Sequence, residues 1–133
     1  MDEVTVRIEA EVNPTEDEEK VKVALENLFG CLNWQLIEAS IGYFLVAESK
    51  GQNVLVKLRD LFRNDRIRDA ARKVLFGNLH GKTIVFCLNK QVAFAGHVSF
   101  SEEVAESPLG PVKVIIECEN PRELIGWLAP RSS

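Results

Sequence analysis

The hydrophobic period of the chain changes within its first thirty residues. Apolar and polar residues alternate strictly from Val4 to Glu11, which predicts a strand with one buried and one solvated face. Asn13-Pro14 ends this strand. A helix is predicted next, from Thr15 and Glu18 as a T-x-x-E capping box to a stop at Gly30. Its apolar stripe consists of Val21, Leu25, Leu28 and Phe29.

The middle of the chain reads as two strands followed by two helices. The strands are predicted at Trp34–Ser40 and Tyr43–Glu48, joined at Ile41-Gly42. Helical spacing then runs over 54–62 and again over 67–75. Asn64-Asp65 is the expected cap of the second helix, with Ile67, Ala70, Ala71, Val74 and Leu75 facing inward and Gly77 as its end.

The last third predicts a hairpin, a strand and a short helix. The hairpin arms are Thr83–Leu88 and Val92–Phe100, turning at Asn89-Lys90-Gln91. The first arm is apolar on both faces, so we expect it in the centre of the sheet or at a subunit interface. A stiff loop is expected at 107–111, a strand at 112–119, and a helix at 121–127 that Asn120 caps.

This order of elements, in which hairpins dominate, predicts an α+β fold. We expect one domain over residues 1–133, with two layers, a mostly antiparallel sheet and the helices on one face. The other face of the sheet is then free to meet a second subunit. Apolar residues make up 46% of the chain, which is ordinary for a globular protein.

Composition sets limits on location and chemistry. The N-terminus lacks the basic and apolar regions of a signal peptide, and no apolar run approaches membrane-spanning length, so we expect a cytoplasmic protein. The three cysteines are far apart and form no C-x-x-C pair, which argues against zinc and disulfide frameworks. The two histidines have no carboxylates at metal-site spacing, and no nucleophile motif is present. We therefore expect a non-enzymatic protein without cofactor, metal, membrane partner or small-molecule substrate.

Charge is segregated along the chain. The protein carries a net charge of −4, yet residues 57–82 hold eight of its sixteen Lys and Arg residues and only three acids. A basic stretch on an acidic protein indicates a polyanion partner. The candidate contact residues are Arg63, Arg66, Arg68, Arg72, Lys73 and Lys82, with Lys90, Gln91 and His97 added from the predicted hairpin.

An ordinary interpretation of the same segment stays open. Asp69 and Lys73 have i,i+4 spacing, and Asp60 can reach Arg63 at i,i+3, as on any charged helix surface in solvent. Against this, Arg66, Arg68, Arg72 and Lys82 have few local acids, and arginine suits phosphate. The alternative to polyanion binding is a homodimeric structural or protein-interaction module with no nucleic-acid binding.

Two motif-like segments do not carry a function by themselves. Gly81-Lys82-Thr83 suggests a phosphate loop. Such a loop requires a glycine at position 76, where this chain has Phe76, and it leads from a strand to a helix, whereas this segment leads from a helix to a strand. The second segment, 93–100, is faintly similar to the aromatic strand of RNA-recognition modules. Ala95 and His97 occupy the places of its stacking aromatics, so we attribute the similarity to chance.

Several pieces of the sequence together resemble one archaeal family. They are 11–17 (EVNPTED), 67–72 (IRDAAR), 86–94 (FCLNKQVAF), 106–111 (ESPLGP) and 124–130 (LIGWLAP). They are similar to uncharacterised protein family 0201, sometimes labelled as predicted RNA-binding or exosome-associated. The resemblance implies a two-layer α+β fold similar to the ribosomal protein that binds 5S rRNA, a homodimer, an archaeal cytoplasm and a possible RNA partner. It supplies no catalytic residues.

Overall fold

The computed structural model describes residues 3–101 and 110–131. Its strands are β1 (Val4–Val12), β2 (Gln35–Glu38), β3 (Tyr43–Lys50), β4 (Leu79–His80), β5 (Thr83–Leu88), β6 (Phe100–Ser101) and β7 (Val112–Cys118). Its helices are α1 (Glu18–Phe29), α2 (Val56–Asn64), α3 (Arg68–Gly77), α4 (Lys90–Phe94) and α5 (Pro121–Leu128), with a 3₁₀ turn at Gln52–Leu55 before α2. The predicted loop residues 107–109 lie outside the described part.

The strands form one sheet in the order β2-β3-β1-β7-β5-β4, with β6 also paired to β5. All the pairings are antiparallel. The predicted α+β class with an antiparallel sheet is therefore confirmed. The apolar strand β5 lies in the interior of the sheet, between β7 on one side and β4 and β6 on the other, as its composition predicts.

The core lies between one face of the sheet and the helices. Alternate residues of β1 and β7 are buried and belong to the same apolar cluster as the inner residues of α1, α2, α3 and α5. The residues between them, such as Thr5, Arg7 and Glu9, stay partly exposed on the other face. There Arg7 Nε lies 2.7 Å from a carboxylate oxygen of Glu9. This arrangement places the helices on one side of the sheet.

The two predicted helix starts are wrong in detail. Asp17, one residue before α1, is its cap, since its side chain accepts a hydrogen bond from the Glu19 N–H at 3.0 Å. Glu16 instead accepts from the Asn13 N–H at 2.9 Å. Asn64-Asp65 does not cap α3, which begins after Ile67 without a side-chain cap. The stop at Gly30 and the Asn120 cap of α5 are confirmed.

The predicted hairpin arm Val92–Phe100 is also wrong. The Asn89 side chain accepts a hydrogen bond from the Val92 N–H at 2.9 Å and caps the short helix α4. The chain returns to the sheet only at β6. Because residues 90–94 are helical, the faint likeness to an RNA-recognition strand has no structural counterpart.

No helix within the described ranges has both the length and the apolar content that a membrane crossing requires.

Candidate nucleic-acid interface

Three arginines converge where α2 turns into α3. Arg63, Arg66 and Arg68 line one open cavity of about 390 Å³ together with Asp69. Arg63 and Arg68 also line a neighbouring cleft of about 40 Å³, with Arg59, Asp60 and Pro130. We call the surface formed by Arg63, Arg66 and Arg68 the arginine face. It groups residues that the sequence predicted to act together. The predicted contact residue Lys73, five residues after Arg68 in α3, is exposed and lines neither of these two cavities.

Backbone geometry at the turn holds Arg66 outward. Arg66 has a φ of 58°, a left-handed conformation that residues other than glycine seldom adopt. Its N–H donates to the Arg63 carbonyl at 3.2 Å, and the Ile67 N–H donates to the Phe62 carbonyl at 3.0 Å. The reversal therefore closes within five residues and leaves Arg66 exposed between two helices.

Asp65 ties this turn to the segment after α4. Its carboxylate accepts a hydrogen bond from the Val98 N–H at 2.8 Å, and its other oxygen lies 3.1 Å from Nδ1 of His97. Asp65 is only 17% exposed, whereas His97 is 65% exposed. The predicted contact residue His97 is thus beside the turn that carries Arg66, although 31 residues separate the two in the sequence.

The arginine face is weakly neutralised. The ion pair between Arg63 and Asp60 is 3.4 Å long and exposed on both sides, so it contributes little. Within residues 3–101 and 110–131, Arg66, Arg68 and Lys73 make no ion pair shorter than 4.0 Å. Cations of this kind remain available to an anionic ligand. The arginine side chains also present the forked donors that match phosphate oxygens.

Arg72 and Arg59 contact α5. Arg72 donates to the Ala129 carbonyl at 3.4 Å and lies over the Phe76 ring, with 4.9 Å from its guanidinium carbon to the ring centroid. Arg59 donates to the Trp127 carbonyl at 3.0 Å and lies 5.1 Å from the centroid of that residue's own ring. Both fasten α5 at its C-terminal end, where carbonyls lack helical partners and cations are favoured.

Two of the predicted contact lysines lie elsewhere. Lys82 pairs with Glu119 at 2.7 Å and lines a cavity with Glu3 and Glu117. The hydrogen bond that Lys82 donates to the Glu119 carboxylate, followed by the charge of that carboxylate, raises the pKa of Lys82. Lys82 therefore belongs to an acidic edge and lines neither of the arginine cavities.

Lys90 is the clearest correction to the predicted site. It is 5% exposed, and its Nζ donates to the Glu11 carbonyl at 2.7 Å and to the Glu16 carboxylate at 2.9 Å. A lysine that is buried and paired in this way cannot contact a phosphate group of RNA. Its neighbour Gln91 is exposed, but it lines a cleft of about 360 Å³ beside α1 and lies apart from the arginine cavities.

One cation was missed by the sequence reasoning. Arg122 in α5 is exposed and lies over the Phe76 ring at 5.7 Å, the same ring that Arg72 contacts. It stands in an acidic part of the chain, between Glu119 and Glu123, where no local pattern marks it. Only the packing of α5 against α3 brings it to the Phe76 ring.

Fold and site together define an α+β protein with an open antiparallel sheet and a cationic surface on its helical layer. A family model described as RNA binding matches residues 5–118. A UPF0201 protein of Sulfurisphaera tokodaii is 50% identical over 95% of this chain and 87% of its own length. One from Saccharolobus islandicus is 42% identical over 98% and 90%. The chain belongs to this family, the archaeal UPF0201 proteins.

Solved structures agree with this assignment. A UPF0201 protein from Methanococcus jannaschii matches with a TM-score of 0.81 and 35% identity, over 97% of this chain and 95% of that one. A DUF54 protein from Methanothermobacter thermautotrophicus, Mth689, has a TM-score of 0.61 at 19% identity, over 96% and 99%. The second match shows a common fold alone.

Proposed function

We propose that this protein is a non-enzymatic RNA-associated protein that holds the phosphate backbone of RNA on the arginine face. The observation that carries the proposal is the convergence of Arg63, Arg66 and Arg68 on one cavity in a chain whose net charge is −4. The family model described as RNA binding supports the choice of RNA among polyanions.

Charge distribution supports a one-sided contact. Nine acids lie in residues 1–26, and the edge that contains Lys82 also carries Glu3, Glu117 and Glu119. These surfaces repel phosphate, whereas the arginine face attracts it, so the field of the whole protein orients an approaching RNA. Phosphate contacts position a protein on nucleic acid but read no sequence. We therefore expect little base specificity.

A charge-reversal pair of variants tests the site. Binding of a labelled pool of cellular RNA is measured by fluorescence anisotropy at about 50 mM salt, where phosphate contacts are strong. The test variant carries Arg63→Glu, Arg66→Glu and Arg68→Glu. The matched control carries Lys20→Glu, Lys22→Glu and Lys50→Glu, which change the net charge equally on α1 and β3.

The proposal expects the arginine variant to lose at least about tenfold in affinity and the lysine control to lose less than about threefold. Equal losses would mean that net charge alone governs binding. Unchanged affinity in the arginine variant would show that the assignment of the site is wrong.

A second candidate function, a homodimeric structural or protein-interaction module, is favoured by the β2–β3 hairpin. β2 is an edge strand with all four residues exposed. Leu36, Ile37, Ile41 and Tyr43 of this hairpin are large apolar side chains in solvent. An exposed apolar edge strand is a common site of pairing between chains.

The second candidate predicts an oligomer at micromolar concentration in light scattering. The double variant Ile37→Lys, Ile41→Lys should then become monomeric, because charge on both positions opposes edge pairing. The variant Val23→Lys, also at an exposed apolar position but on α1, is the control. A wild-type protein that is already monomeric would count against this candidate.

A further inference from the structure

His97 is an exposed ring beside the arginine face. Its side chain is 65% exposed, and its Nδ1 lies 3.1 Å from a carboxylate oxygen of Asp65. Asp65 directly precedes Arg66 in the chain and follows Arg63 by two residues, where α2 ends. The ring therefore borders the surface that holds the RNA backbone in the proposed function.

The backbone around His97 is fixed at several points. The His97 N–H donates to a carbonyl of α4 at 3.1 Å. The next N–H, that of Val98, donates to the other Asp65 oxygen at 2.8 Å, and the Val98 side chain is buried. Phe100 then stacks on Phe62 of α2, with 5.6 Å between the ring centroids. This segment is thus fastened to α2, although the His97 side chain is in solvent.

The contact with Asp65 leaves the ring available for stacking. A hydrogen bond to a ring nitrogen lies near the plane of the ring, so Asp65 holds the imidazole by its edge. A side chain that is 65% exposed then presents ring surface to solvent. Unpaired RNA bases stack on aromatic side chains, histidine among them. Because Asp65 and the backbone already fix this ring, a base that stacks on it loses little affinity to the ordering of the side chain.

Cations and an exposed ring together are the means by which many proteins hold single-stranded nucleic acid. A positively charged surface follows the phosphates, while rings take the bases in a way that tolerates any sequence. In a duplex the bases are already paired and stacked, and taking one out costs free energy. A ring fixed beside the turn that carries Arg66 therefore favours RNA with unpaired bases.

We infer that the protein takes single-stranded RNA, that the His97 ring stacks on one unpaired base of it, and that Asp65 is a positioning residue for this ring. The inference rests on the proposed function, because the phosphates of the same strand lie on the arginine face. It adds the class of RNA and a contact to a base. Stacking of this kind is compatible with the low base specificity expected above.

The first test compares a strand with its duplex. The probes are an RNA strand of about 12 nucleotides, within the site sizes of single-strand modules, and the same strand annealed to its complement. A strand of A and C alone does not pair with itself. Affinities are measured by fluorescence anisotropy at one salt concentration and at equal phosphate concentration.

The wild-type protein should bind the strand at least about fivefold more tightly than the duplex, as one stacked base provides. Equal or tighter binding of the duplex would overturn the inference and leave the proposed function standing. Absence of binding to both probes would overturn both.

Two substitutions of His97 separate stacking from hydrogen bonding. His97→Gln removes the ring, so affinity for the strand should fall about fivefold or more, while affinity for the duplex stays within about twofold. His97→Phe keeps a ring and should keep the affinity for the strand within about twofold. His80→Gln, the same change at the exposed histidine of β4, is the control and should alter neither affinity. Equal losses in the two His97 variants, or no loss in His97→Gln, would overturn the stacking contact.

Asp65→Ala tests the positioning of the ring. It removes an acid beside the arginines, which should strengthen the binding of both probes, and it releases the ring, which should lower the ratio of strand to duplex affinity by about twofold to tenfold. Asp60→Ala is the control, since Asp60 contacts Arg63 at 3.4 Å, and it should leave the ratio unchanged.

In the His97→Gln background, Asp65→Ala should not change this ratio, because no ring remains to be positioned. A ratio that Asp65→Ala leaves unchanged in the wild-type background, or lowers equally in both backgrounds, would overturn the positioning role of Asp65.

Discussion

Lys90 shows how one buried charge organises the end of the sheet. Its ammonium group bridges the Glu11 carbonyl at the end of β1 and the Glu16 carboxylate before α1. Glu16 in turn accepts from the Asn13 N–H. The side chains of Lys90 and Glu16 are only 5% and 10% exposed. A charge desolvated to this degree is tolerated because its partner and hydrogen bonds are in place.

We predict that Lys90→Met lowers the free energy of unfolding by about 3–5 kcal/mol, since it leaves the Glu16 carboxylate buried without its partner. Urea unfolding followed by circular dichroism measures the change. Lys50→Met, which breaks the exposed pair with Glu3, is the control and should cost less than about 1 kcal/mol. A cost below about 1 kcal/mol for Lys90→Met would contradict the structural role of this residue.

A second prediction concerns Cys31, which is exposed, whereas Cys87 and Cys118 are buried. Its thiol donates to the Glu26 carboxylate at 3.3 Å. That hydrogen bond first, and the carboxylate charge second, raise the pKa of Cys31 against a smaller opposing effect of Lys57. Because the thiolate is the nucleophile, Glu26→Gln should move the pH midpoint of alkylation to lower pH. Mass spectrometry of iodoacetamide-treated protein follows the reaction, with Glu18→Gln as control. A midpoint that Glu26→Gln leaves in place would contradict the contact.

Among the elements, the α2–α3 turn allows RNA affinity and stability to be changed separately by substitutions at Arg66. Arg66 occupies a left-handed conformation at φ 58°, which costs a residue with a Cβ about 1–2 kcal/mol and glycine very little. Arg66→Gly and Arg66→Ala should therefore lose RNA affinity equally, with a salt slope lower by about 1. The free energy of unfolding of the Arg66→Gly variant should be about 1 kcal/mol higher than that of the Arg66→Ala variant. Unequal loss of affinity would mean that Arg66 acts through the shape of the turn.

Local patterns predict an element well when one hydrophobic period, that of a strand or that of a helix, continues over many residues. β1 alternates over its whole length, and α1 keeps its apolar stripe for 12 residues. The segment 92–100 also alternates, yet α4 takes up its first part. Five residues are too few to distinguish the two periods. A contact from a distant residue also holds this helix, since the Asn27 side chain donates to the Ala93 carbonyl at 3.0 Å.

The local sequence likewise predicts only part of the candidate site. The grouping of Arg63, Arg66 and Arg68 follows from their closeness in the sequence, so the charge count could find it. The partners of Arg72 and Lys90 lie far along the chain: Ala129 is 57 residues from Arg72, and Glu16 is 74 residues from Lys90. Only the folded sheet and helices bring these groups together.

The whole molecule, in the function proposed above, is an acidic protein with one phosphate-binding surface on its helical layer. Arg63 and Arg66 of the arginine face are exposed and Arg68 is half-buried, and within residues 3–101 and 110–131 their one ion pair is the exposed contact of Arg63 with Asp60. Each neutralised phosphate releases counterions, so the logarithm of affinity should fall with the logarithm of salt concentration at a slope of about −3.

The decisive experiment is a salt titration of binding to the labelled pool of cellular RNA. The wild-type protein is compared with the variant carrying Arg63→Glu, Arg66→Glu and Arg68→Glu and with the lysine control. We expect a slope of about −3 for the wild type and the control, and a slope near zero for the arginine variant. Equal slopes for all three proteins, or no binding by the wild type at about 50 mM salt, would contradict this expectation.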